Sequence, residues 1–91
     1  MVFQYVYILQ SEKDNNFYIG YTININRRIK QHNNGESFST KSRRPFRLVY
    51  CEICLAEKDA MLREKYLKSA WGKRYIKNRI KNYLKNGYGR K

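Results

Sequence analysis

Phe3-Gln4-Tyr5-Val6-Tyr7-Ile8-Leu9-Gln10 and, six residues on, Phe17-Tyr18-Ile19-Gly20-Tyr21 decide the fold of this chain. Both runs are β-branched and aromatic and free of proline, the composition of strands. Ser11 to Asn16 between them is polar and reads as a turn, so the two runs predict an antiparallel hairpin. Alternation puts Phe3, Tyr5, Tyr7 and Leu9 on one face of the first strand and Val6 and Ile8 on the other. Tyr7 and Tyr18 share a face if the pairing register adds to an odd number, which the sequence leaves open. Gly20 lies on Tyr18's face and leaves room beside that phenol for another backbone or a phosphate.

Beyond the hairpin the pattern turns helical from about Asn24 to Asn33, with Ile25 and Ile29 one turn apart. Thr22 or Asn24 can cap its start, and Asn33-Asn34-Gly35 ends it with a left-handed residue. Glu36 to Pro45 is a polar, basic loop, and Phe46 to Ile53 reads as a third strand. Ala56 to about Ala70 predicts a long helix stopped by Gly72, and Lys73 to about Lys85 a second, basic one. The expected class is α+β, a three-stranded antiparallel sheet flanked by helices in the order β-β-α-β-α-α. One domain spans 1–85, and a basic tail runs from 86 to 91.

The chain has 91 residues, of which twenty are Lys or Arg against seven Asp or Glu, a formal net charge of +13. That excess repels itself unless a polyanion offsets it, and nucleic acid is the commonest such partner. A ribosome-associated protein or one on an anionic membrane surface carries similar charge. Arg27, the loop cluster Lys41, Arg43 and Arg44, and Lys73, Arg74 and Lys77 of the basic helix are the expected phosphate contacts. Nothing approaches the roughly 18 apolar residues of a membrane span, and the start lacks a signal-peptide pattern, so a cytoplasmic protein is expected. Cys51 and Cys54 lack a second ligand pair, and His32 is the only histidine. A zinc site is therefore out of reach, and reduced, partly buried thiols are expected.

In the long helix, Ala60, Glu64, Leu67 and Trp71 fall on one face, apolar apart from Glu64. A carboxylate facing a core is costly unless it is paired or binds a metal. Glu64 is thus a candidate metal ligand, or else a partner of Arg28 or Lys68. Arg28 and His32 stand one turn apart at the rim of the Ile25–Ile29 stripe. By themselves they read as a solvated arginine and a bystander, although Arg is suited to holding phosphate. A phenol with pKa about 10 is a poor base unless cations lower it, as Arg28 and a metal would for Tyr18.

Tyr5-Val6-Tyr7, Tyr18-Ile19-Gly20, Arg28, His32 and Glu64, in this order and spacing, resemble the signature of the GIY-YIG nuclease family. The Ser39-Thr40 and Arg44-Pro45 region and Leu48-Val49-Tyr50 fit as well, and the likeness runs from about Phe3 to Ile80. It is greatest to small stand-alone bacterial members, which resemble catalytic modules of structure-specific nucleases and of the excision-repair incision protein. The resemblance implies hydrolysis of a DNA phosphodiester with one divalent ion, Mg²⁺ or Mn²⁺. It implies that Glu64 holds the metal, Arg28 steadies the scissile phosphate and Tyr18 sits beside the attacking water or acts as its base. On the same resemblance, Tyr7 would support by hydrogen bonding and His32 would assist proton transfer. The chain departs from the family in two places: Tyr21 stands where some members have a lysine, and the late asparagine of some members has no clear counterpart, with Asn78 and Asn82 as candidates only. No separate DNA-reading domain is expected, so targeting would fall to the basic helix and loop, to a homodimer or to a protein partner. A fold that binds nucleic acid with little cleavage, or an accessory subunit, is the alternative to an endonuclease.

Overall fold

In the computed structural model, which describes residues 1–86, the hairpin is built from β1 (Gln4–Ser11) and β2 (Phe17–Thr22). Their register sets Tyr7 opposite Gly20 and Leu9 opposite Tyr18, so Tyr7 and Tyr18 do share a face. The turn is tied down by Ser11, whose hydroxyl accepts from the backbone N–H groups of Lys13 and Asp14 and donates to the Arg43 carbonyl at 2.6 Å. The third strand, β3 (Phe46–Cys54), pairs antiparallel with β1 on its other side, giving the sheet order β2-β1-β3. A bulge interrupts this pairing between Ile8 and Leu9.

As the central strand, β1 is covered on both faces, which explains its unbroken apolar run. Val6 and Ile8 pack with Ile19, Ala60, Leu67, Ile76 and Ile80 on one side. Tyr7 and Leu9 pack with Phe46 on the other, against Ile25 and Ile29. Helix α1 (Ile25–Asn33) forms this second cover. Its start is capped by the Asn24 side chain, which accepts from the Arg27 N–H. Asn33, its last residue, clamps the start of β3: its amide donates to the Phe46 carbonyl at 3.0 Å, and its carbonyl accepts from the Phe46 N–H at 2.7 Å. Gly35 follows at φ 78°, the expected left-handed residue.

The helical half departs from expectation. The long helix ends early, as α2 (Glu57–Leu67), and a new helix, α3 (Ala70–Arg79), begins after two residues, followed by the short α4 (Lys81–Asn86). The break is made by Ser69, whose hydroxyl accepts from the Gly72 N–H and so caps α3. Gly72 is therefore not a stop. It lies buried in the first turn of α3, where a Cβ would strike the backbone of Tyr66 and Leu67. Tight packing of the α2–α3 corner requires glycine there. Of the expected tail, only Asn86 falls within the described residues. Cys51 and Cys54, three apart on β3, pack on opposite faces of the sheet and are free thiols, as expected. No described helix is long and apolar enough to cross a membrane.

Candidate active site

Three elements converge on the Tyr7 hydroxyl. β1 presents the ring towards α1, and the ring crosses to β2 directly over Gly20. A Cβ on Gly20 would fall on the Tyr7 phenol. The room that Gly20 leaves is thus taken by Tyr7, not by a ligand beside Tyr18. From α1, Arg28 Nε donates to the Tyr7 oxygen at 3.4 Å and its Nη1 donates to Gln31 Oε1 at 3.0 Å. His32, one turn on, lies 3.0 Å from the same hydroxyl through Nε2. Tyr18 stacks edge-on against His32 with ring centroids 4.9 Å apart, and Tyr7 and Tyr18 lie 6.4 Å apart. Tyr7, Tyr18, Arg28 and His32 therefore form one cluster.

His32 is fully buried, not at the rim of the helix. The rim position follows from the helix pattern, but the chain beyond α1 folds back over that face. Buried Thr40 sets its hydroxyl 2.8 Å from His32 Nδ1. The Thr40 hydroxyl also donates to the Ser37 carbonyl at 3.5 Å, leaving its oxygen to accept from Nδ1–H. That tautomer frees Nε2 to accept from Tyr7. Burial, helped by the Arg28 charge, lowers the His32 pKa from 6.5 to about 4, so the imidazole is neutral near pH 7. Burial also raises the Tyr7 pKa above 10, and the Arg28 hydrogen bond offsets this only in part. The Tyr7 bond in turn holds the Arg28 pKa above its ordinary value.

Glu64 departs from the core position expected of it. Its side chain is 23% exposed and forms an ion pair with Lys68, one turn on, at 3.0 Å. Trp71 is not on its helix face at all, but on α3 and 69% exposed. The face seemed continuous only because the break at Ser69 is short. Glu64 still bears on the cluster, because its charge helps to raise the Tyr7 pKa. Among the described residues, no three His, Cys, Asp or Glu side chains gather to hold a metal. One carboxylate suits a Mg²⁺ ion that keeps most of its waters and takes substrate oxygens.

The expected phosphate contacts divide into separate surfaces. Arg27 lines a hollow with Lys30 on the outside of α1. Lys41 and Arg44 lie on the loop before β3. Lys73 and Lys77 share a hollow with Arg43 at the β1–β2 turn. Arg43 itself is engaged, paired with Asp14 at 3.0 Å and packed over the Phe46 ring. Arg74 stacks on Trp71. Asn78 and Asn82 are exposed on α3 and α4. Tyr21 faces away from the cluster and donates to Gln4, so a lysine there would not reach Tyr7 along the same face. Gln31 and Thr40 were not expected as partners of Arg28 and His32. Gln31 stands three residues after Arg28, a helical spacing that could have pointed to it, whereas Thr40 reaches His32 only through the folded loop.

Residues 3–76 match the GIY-YIG catalytic domain. A UPF0213 protein of Staphylococcus haemolyticus is 46% identical over 70 residues, covering 76% of this chain and 84% of that protein. Another, from Pediococcus pentosaceus, is 40% identical over 84 residues, covering 91% and 83%. The solution NMR structure of a UPF0213 protein from Bacillus halodurans has a TM-score of 0.52 at 35% identity, covering 97% of this chain and 90% of that one.

Proposed function

The chain belongs to the GIY-YIG nuclease family, and from that premise we propose that it is a divalent-metal-dependent endonuclease that cleaves DNA by shape rather than sequence. The observation that carries this reading is the meeting of Arg28 and His32 on the single Tyr7 hydroxyl, with Tyr18 against the same imidazole. A protein that only binds phosphate has no need of a buried phenol–imidazole pair.

Arg28 keeps a full positive charge beside the phenol and is placed to hold a phosphate oxygen and stabilise charge that builds in the transition state. Tyr18, half-buried against His32, orients the attacking water. Tyr7 passes a proton from that side to His32 Nε2, which is neutral and unprotonated near pH 7. Phosphate on Arg28 would cancel part of the charge that lowers the His32 pKa and so strengthen it as a base in the complex. Glu64 would hold Mg²⁺ or Mn²⁺, which supplies Lewis acidity at the phosphate when bound. Lys68, the more exposed partner of the ion pair, would have to release the carboxylate for this.

That same ion pair favours a second reading, a module that binds nucleic acid and cuts weakly alone or needs a protein partner, because it already neutralises the carboxylate. Incubating the chain with branched, flapped and plain duplex DNA and Mg²⁺ or Mn²⁺, beside Glu64→Gln, decides between them. The endonuclease reading expects cleavage that falls more than about a hundredfold in the variant. No cleavage of any substrate, or equal cleavage by both proteins, would sink it.

A further inference from the structure

Phe38 is 96% exposed, the most exposed aromatic ring of the described chain, yet its loop is held by hydrogen bonds of its own. The Thr40 and Lys41 N–H groups both donate to the Ser37 carbonyl, at 3.2 and 2.9 Å, and Arg44 Nε donates to the Lys41 carbonyl at 3.0 Å. Phe38 lines a shallow hollow of about 520 Å³ with Ser39, Lys41, Ser42 and Arg44. No acid lines it. Two residues beyond Phe38, Thr40 is hydrogen-bonded to His32. The exposed ring is thus attached by a short, bonded segment to the imidazole of the candidate active site.

A phenylalanine left in water makes no contribution to the fold that an alanine would not. A flat apolar ring between two cations and small hydroxyls matches an unstacked nucleobase flanked by its phosphates. We propose that Phe38 stacks on an unpaired DNA base, with Lys41 and Arg44 holding the adjoining phosphates, so that the preferred substrate carries an unpaired base close to the bond that is cut. The fixed loop limits the entropy lost on binding. The link through Thr40 to His32 sets the separation between captured base and reacting phosphate. The substrate class rests on the nuclease reading above, but stacking can be measured without cleavage.

The probe is a flapped DNA bearing 2-aminopurine at the unpaired nucleotide beside the junction, with a fully paired duplex for comparison. Binding is followed by fluorescence without divalent ions. The intact chain should quench the unpaired probe. Phe38→Ala should lose the quench and weaken flap binding by about tenfold more than duplex binding. Phe38→Trp should restore both. Fluorescence and affinity ratios unchanged in Phe38→Ala would overturn the proposal. So would a variant that alters only self-association in sedimentation, which would mark Phe38 as a protein contact. Quenching that depends on Phe38 supports base stacking even if Mg²⁺ then brings no cleavage, an outcome that would sink only the nuclease reading.

Discussion

At the residue scale, His32 joins stability to the candidate chemistry. Its Nε2 meets Tyr7, its Nδ1 meets Thr40, and no water reaches it. Burial and Arg28 lower its pKa from 6.5 to about 4, so folding favours the neutral ring. Its contribution is therefore complete above about pH 6.5 and is lost as the pH falls through 6.5 towards 4. The whole effect is on the order of 3 kcal/mol. Denaturant melts between pH 7.5 and 4 should show the loss, and His32→Gln should flatten it. Parallel curves for the two proteins would remove His32 as the cause. Spacing alone put His32 beside Arg28 on α1 but could not reveal its burial, because Thr40 arrives through a loop whose path no local pattern records.

At the element scale, the corner between α2 and α3 shows how one residue reverses a general rule. Replacing a helical glycine by alanine ordinarily stabilises by up to about 1 kcal/mol. At Gly72 the added Cβ would meet the Leu67 carbonyl carbon at 2.8 Å, with other backbone atoms of Tyr66 and Leu67 closer still. Backbone cannot turn aside as a side chain can. Gly72→Ala should therefore destabilise by about 1–3 kcal/mol, the usual range for overpacking. Thermal melting of the variant checks this, and a raised melting temperature would show that the corner is loose. The strands were legible because pairing demands β-branched and aromatic runs. The helix break was not, because Lys68 and Ser69 are ordinary helix-surface residues until Ser69 turns its hydroxyl to cap Gly72.

At the scale of the whole molecule, a net charge of +13 is spread over surfaces on α1, the loop before β3 and α3. Binding that engages more than one of them must release several counterions. The logarithm of DNA affinity against the logarithm of salt should fall with a slope of about −4 or steeper, as about four or more phosphate contacts require. A slope near −1 would mean that a single surface is used. The sequence by itself determined the charge, the three strands, the capped first helix and the identity of the clustered side chains. Those depend on composition and local period, which are written along the chain. Only the tertiary structure decided the register that brings Tyr7 over Gly20, the burial of His32 under Thr40, the withdrawal of Arg43 to Asp14 and the pairing of Glu64 with Lys68 rather than a seat in the core. Each of these depends on where segments distant in sequence, or helices that break early, come to rest against one another. Burial, not spacing, then sets the charge of the groups they enclose.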